Sequence, residues 1–313
     1  MLCGLCRESR VTPTDHPSPA LARGTLDRRG DERFRDGLLA SLRADEATRV
    51  LVLSGDTAPL SGSGALLWVA PADAPADAEW ALLGRDAQGT AHLVAALDAS
   101  DGEPFAAPAG WAGLRSVGAA LSAGDAGAMV EAVSLARWLH DARFCPACGA
   151  RAVLGDAGWS RRCPACSRQH FPRTDPAVIV AVTSAADPDR LLLGANAVWS
   201  GERYSCFAGF VEAGESLEAA VHRELEEEAG VTVGDLRYRG SQAWPYPRSL
   251  MLGFLATAVE DAAARPDGEE IVAVRWFTRE EIGAALRGEG GIQLPGQASI
   301  AHTLISDWYA GSR

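Results

Sequence analysis

Three glutamates, Glu224, Glu227 and Glu228, stand at i, i+3 and i+4 within the segment Leu217 to Ala229. In a helix that spacing places their carboxylates on one side. Like charges so close repel one another, a cost that makes sense if divalent cations sit among them. Mg²⁺ and Mn²⁺ prefer oxygen ligands and readily bridge phosphate oxygens. The plain alternative is an exposed acidic helix with incidental spacing. Leu217, Val221 and Leu225 form an adjacent i, i+4 apolar row that can anchor the helix to a sheet. Gly230 follows as the left-handed residue past its end.

A second set of candidate ligands is Cys145, Cys148, Cys163 and Cys166, two CxxC pairs separated by a short stretch. At that spacing two knuckles can present four thiolates tetrahedrally to one Zn²⁺, and four thiolates leave no open position for water or substrate, so the role is structural. Two disulfides or a thioredoxin-like redox pair are the rival readings. The first suits an oxidising compartment and the second a single pair. Arg143, Arg151, Arg161, Arg162, Arg168 and Arg173 surround the knuckles and could face phosphate or simply solvent. Cys3 and Cys6 form a further CxxC without a partner pair, and Cys206 reads as a small buried hydrophobe in a strand.

The flanks of the acidic helix are as informative as its glutamates. Gly209, Glu215, Arg223, Gly230, aliphatic Leu225 and aliphatic Val231 stand in fixed register with them. The pattern resembles the Nudix box, G-x5-E-x7-R-E-U-x-E-E-x-G-U with U aliphatic, at every specified position. The resemblance implies a strand-loop-helix unit in an α/β/α sandwich that hydrolyses a nucleoside diphosphate linked to another moiety. It implies a catalytic set of Glu228, Glu227, Glu224, Arg223 and Glu215. Glu224, Glu227, Glu228 and the backbone carbonyl of Ala208 would hold Mg²⁺ or Mn²⁺, which polarises the pyrophosphate and lowers the pKa of water. Glu228 is the first choice for the base, and Arg223 orients the carboxylates.

Past the box, Ser241, Gln242, Ala243, Trp244, Pro245, Tyr246, Pro247, Arg248 and Ser249 resemble the SQPWPFPxS array of the NADH pyrophosphatase subfamily. Ala243 replaces its Pro, and Tyr246 its Phe. The resemblance implies that Gln242 to Ser249 and Ala301 contact substrate and that Glu270 is a fourth carboxylate on metal. Phe171 and Phe210 would stack on a flat ring, and Arg115 would reach the substrate from the N-terminal side. For each Phe the plain alternative is core packing. A four-cysteine ribbon before the box and the stretch Leu294 to Ala301 agree with that subfamily. The implied reaction is hydrolysis of NADH to NMNH and AMP, with NAD⁺ a poorer substrate, by a homodimer whose subunits both shape each pocket. Members also remove NAD caps from RNA 5′ ends, and the ribbon arginines motivate that reading here. Other readings are a pyrophosphatase for ADP-ribose or another dinucleotide, and a zinc-ribbon binding protein with an inactive Nudix fold.

The elements that must position these groups are legible in outline. Short apolar runs at Val50 to Leu53, Ala65 to Ala70 and Ala91 to Leu97 read as strands, and Asp125 to His140 as a helix. Ala177 to Val182, Arg190 to Leu193, Leu250 to Val259 and Ile271 to Phe277 read as further strands. Helices are expected at Glu280 to Leu286 and Ser299 to Trp308. The expected class is α/β, with an N-terminal α/β domain over 1–140 whose first residues are loose, a zinc ribbon over 141–173 and a Nudix domain over 174–313.

The 313 residues suit more than one domain, and a net charge of −12 argues against a protein that coats nucleic acid. Every basic residue is Arg. No apolar run is long enough to cross a bilayer and no secretory signal is evident, so a cytoplasmic location without membrane partners is expected.

Overall fold

The computed structural model describes residues 18–311. The Cys3 and Cys6 pair lies outside the described residues. The first unit is a five-stranded sheet in the order Glu79–Arg85, Ala91–Leu97, Arg49–Ser54, Thr57–Pro59, Trp111–Gly113. Arg49–Ser54 and Ala91–Leu97 run parallel and the other pairs antiparallel. The alternation of side chains along a strand explains the layers. Leu51 and Leu53 pack with Met129, Val133 and Leu135 of the helix Ala123–Asp141, while Val50 and Val52 pack on the opposite face with Leu38 and Leu42 of the helix Leu38–Ala44.

The C-terminal unit repeats this plan with different connections. Its main sheet runs Val233–Trp244, Ser249–Ala258, Asp175–Thr183, Arg190–Asn196, Ile271–Thr278, and Phe207–Phe210 adds to Asp175–Thr183. Val178, Val180 and Val182 face Val221 and Leu225 of the helix Leu217–Ala229. Ile179 and Ala181 face Leu304 and Ile305 of the helix Ile300–Tyr309 on the other side. The β-branched run is therefore buried on both faces, as a central strand requires.

Between the two lies a three-stranded antiparallel ribbon, Val153–Gly155, Ser160–Arg162 and Gln169–His170. It is seated directly on the first sheet. Gly158 has φ +93°, and a Cβ there would stand 2.3 Å from Ala81 Cβ. Beside it Trp159 Nε1 donates to Leu82 O at 2.7 Å, and buried Arg161 donates to Leu139 O at 2.7 Å and to Glu79 at 2.8 Å.

Several expected elements take another form. Ala65 to Ala70 is no strand; it joins the sheet through the isolated bridges Leu60–Leu66 and Val50–Val69, and Asp125 accepts from the Leu66 amide and the Trp68 indole. Glu79–Arg85 and the twelve-residue Val233–Trp244 are strands that apolar alternation did not single out. The second is interrupted by Gly234, by Asp235 at φ +46° and by Gly240, with two register shifts that blur its period. The array from Ser241 to Ser249 is a hairpin and not one loop, since Ala243 pairs with Leu250 and Trp244 with Ser249 across the turn Pro245 to Arg248. Cys206 is buried as expected, but it precedes the strand Phe207–Phe210.

Candidate active site

The acidic helix begins at Ser216, whose hydroxyl accepts the amide of Ala219 at 3.2 Å, and ends at Gly230 with φ +64°. Burial of Ala220, Val221 and Leu225 against the sheet fixes its rotation. That rotation brings Glu224 beneath the strand Phe207–Phe210. A Cβ on Gly209 would lie 1.9 Å from Glu224 Cδ, so only glycine admits the carboxylate there.

Arg223 organises the surroundings. Its Nε and Nη2 donate to the two carboxylate oxygens of Glu215 at 2.9 and 3.0 Å. Nη1 reaches Glu224 Oε1 at 2.8 Å and Glu227 Oε2 at 3.3 Å, and Nη2 also donates to Phe210 O at 2.9 Å. Glu215 in turn accepts the amide of Glu212 at 3.0 Å, closing the loop before the helix. The Arg223 hydrogen bonds, helped by that amide, hold the Glu215 carboxyl below its usual range. The same partners raise the affinity of Arg223 for its proton.

Of the remaining carboxylates, Glu224, Glu228 and Glu270 lie close together. Glu228 is only 6% exposed, and its Oε2 is buried without a hydrogen-bond donor. Desolvation, with the like charges of Glu224 and Glu270, pushes its carboxyl up to about 8, against the Ala208 amide, which lowers it. Glu224 is also raised, chiefly by burial, against the pull of Arg223. Glu270 accepts from Asn196 Nδ2 at 3.3 Å, and Glu227 is the outlying member, with its side chain 62% exposed. An all-oxygen donor set with a buried orphan oxygen fits a hard divalent ion.

Two cavities meet at these groups. One, of about 460 Å³, is lined by Glu228, Glu270, Ala208, Arg115, Trp244 and Ala301, among others. The adjoining one, of about 480 Å³, also contains Ala208, Glu228 and Glu270, together with Glu224, Arg223, Phe210 and Ser249. Phe171, Pro247 and Arg248 lie elsewhere, lining a third cavity of about 230 Å³ between the ribbon and the turn of the hairpin.

Other members of the hairpin bind the domains together. Gln242 is 1% exposed. Its Oε1 accepts the amide of Leu21 at 3.3 Å and its Nε2 donates to Ala298 O at 3.0 Å. Ala243 packs against the core of the first domain. Tyr246 lies under two guanidinium groups, Arg115 at 3.9 Å and Arg137 at 5.1 Å from its ring centre, and Arg115 also reaches Trp244 at 5.4 Å. Pro245 is part of the turn between the paired Trp244 and Ser249. Asn196, Trp199 and Arg203 line the first of these cavities, of about 460 Å³, without having been singled out from sequence. Their stretch carries no apolar period and no box position, so nothing in the text marks it.

In the ribbon the four thiols of Cys145, Cys148, Cys163 and Cys166 lie within 4.8 Å of one another, a cluster that fits one structural zinc. His170 Nε2 is 3.3 Å from Cys145 Sγ. The amide of Cys166, opposed by burial, brings the Cys163 thiol down to about 7. Among the described residues no helix is long and apolar enough to cross a membrane.

Comparison with known proteins agrees with this geometry. Residues 173–293 match the NUDIX domain, 140–171 the NADH pyrophosphatase zinc ribbon domain, and 31–138 the NADH pyrophosphatase-like rudimentary NUDIX domain. The chain is 41% identical over 281 residues to the NAD-capped RNA hydrolase NudC of Mycobacterium tuberculosis H37Rv, covering 87% of this chain and 86% of that one. It shows the same identity and coverage with the NAD-capped RNA hydrolase NudC of Mycobacterium bovis AF2122/97. The human NAD-capped RNA hydrolase NUDT12 is 39% identical over 194 residues, which is 59% of this chain and 42% of that protein.

Proposed function

Since the chain belongs to the Nudix hydrolases, in their NADH pyrophosphatase branch, we propose that it hydrolyses the pyrophosphate of NADH to NMNH and AMP, acts more weakly on NAD⁺, and removes NAD caps from RNA 5′ ends. The observation that carries this reading is the buried, unpartnered Glu228 oxygen beside Glu224 and Glu270, opening on a cavity that Arg115 and Trp244 also line. Glu224, Glu227, Glu228, Glu270 and the Ala208 carbonyl would hold Mg²⁺ or Mn²⁺, which when bound polarises the pyrophosphate and neutralises charge on its oxygens.

Glu228 accepts the proton of the attacking water as its oxygen bonds to phosphorus and the bond from phosphorus to the bridging oxygen breaks, releasing two monophosphates. Arg223 and Glu215 keep Glu224 in register. Trp244, Arg115, Ala301 and Ser249 line the space for the dinucleotide, and Phe210 offers an exposed ring at its edge. Gln242, Ala243, Pro245 and Tyr246 hold that wall in place. Phe171, Pro247 and Arg248 border a cavity that Glu228 does not line. A homodimer whose second copy presents that surface would let them meet the same substrate. The protein acts in the cytoplasm in this reading.

The test is product analysis. Incubation with NADH and Mg²⁺ or Mn²⁺ should yield NMNH and AMP, and ¹⁸O-labelled water should mark the monophosphate whose phosphorus is attacked. NAD-capped transcripts should lose their caps while triphosphate-capped transcripts persist. Faster cleavage of ADP-ribose than of NADH would displace the nicotinamide assignment, and absence of any cleavage would leave only a binding role.

A further inference from the structure

The cavity shared by Glu228 and Glu270 is lined by two arginines, Arg115 and Arg203. Among the described residues neither takes part in an ion pair, in contrast to Arg223 in the adjoining cavity, which is spent on three glutamates. A guanidinium left without a carboxylate on the wall of a pocket that also holds acidic groups is available to a ligand anion.

Arg203 is exposed, yet its position is fixed from both sides. Its guanidinium carbon lies 5.0 Å from the ring centre of Trp199, a half-buried indole lining the same cavity. Its own amide donates to Gly201 O at 3.0 Å. The preceding carbonyl, of Glu202, accepts from Gln293 N at 2.8 Å, and the following amide, of Tyr204, donates to Gln293 O at 3.0 Å. Tyr204 is then buried edge-on to Phe277, with ring centres 4.8 Å apart. The side chain thus projects from an anchored backbone and rests on an aromatic shelf, which reduces the entropy lost when it grips an anion.

We propose that Arg203, supported by Trp199, is a substrate-binding residue that takes a phosphate oxygen of the dinucleotide, apart from the Nudix box and the hairpin. The proposal rests on the functional reading above. Neither residue belongs to a motif of the sequence, so the pair sets how tightly this chain holds its substrate without altering the reaction.

Steady-state kinetics on NADH test it. Arg203→Ala should raise KM about tenfold, the worth of one charge-assisted hydrogen bond, while kcat falls far less. The rise of KM with salt should be shallower in the variant than in the wild type, a response that loss of packing would not produce. Arg203→Lys should recover part of the affinity, and Trp199→Leu should move KM in the same direction by a smaller factor. Unchanged melting temperature and zinc content would show that the fold is intact. Binding of the methylene-bridged analogue of NAD, followed by equilibrium dialysis, separates the two readings. A wild type that retains the analogue but cleaves no dinucleotide would sink the functional reading alone. Equal retention by wild type and Arg203→Ala, with equal salt dependence, would overturn the role of Arg203.

Discussion

Two buried glutamates, one in each α/β unit, show what separates a structural acid from a site. Glu131 on the helix Ala123–Asp141 is 5% exposed and Glu228 on the helix Leu217–Ala229 is 6% exposed. Desolvation raises both, to about 7 and about 8. Their neighbours then act in opposite directions. Arg28, 3.3 Å from Glu131, and Arg33 pull it down, whereas Glu224 and Glu270 push Glu228 further up. Burial is equal in the two places. The protein supplies the counter-charge itself in the first and leaves it to a ligand in the second.

The largest effect that could break this comparison is on turnover. Glu228→Gln should lower kcat by about 10²- to 10⁴-fold, the range for removal of a positioned base, with zinc content and fold retained. Glu131→Gln should leave turnover unchanged, and loss of activity there would make the two sites alike after all. Gly209→Ala comes next. Its added methyl must displace the Glu224 carboxyl, and a shift of that order should cost about 10- to 100-fold in kcat without unfolding the protein. Wild-type rates in that variant would mean that Glu224 need not be held where it stands.

The smallest effect is on stability against pH, and its sign follows from the raised carboxyls. A carboxyl whose folded pKa lies above its unfolded value favours the native state below the unfolded pKa, and that contribution is lost as pH rises through the folded value. For Glu228 the window runs from its ordinary 4.5 to about 8. Without added divalent cations, the melting temperature of Glu228→Gln should therefore gain on the wild type as pH climbs across it. Added Mg²⁺ should narrow the gap at the alkaline end by stabilising the wild type. Glu131→Gln should show the same trend over 4.5 to about 7, with no response to Mg²⁺. A Mg²⁺ response at Glu131 would erase the distinction.

Much of the chemistry was legible before any coordinates. The i, i+3, i+4 glutamates, the cysteine spacing and the closing residue Gly230 act over one or two helical turns or one knuckle. Local geometry alone brings such groups together. The longer helices, Ala123–Asp141, Leu217–Ala229, Arg279–Leu286 and Ile300–Tyr309, and the central strands were readable from their apolar spacing or runs, whereas the short helix Leu38–Ala44 was not singled out. Val233–Trp244 escaped notice because glycines and a left-handed Asp235 break its period.

What the sequence by itself determined was thus the set of short-range ligands and the family to which they belong. The tertiary structure decided what depends on distant segments meeting. It took the packing of a strand against a helix to show why Gly209 must lack a side chain. It took two domains in contact to turn Gln242 from a motif letter into a buried tie between Leu21 and Ala298. The two buried glutamates follow the same rule. Nothing in the letters around Glu131 or Glu228 records which charges arrive from Arg28 or from Glu270, because such fields arise only when the chain has folded back on itself.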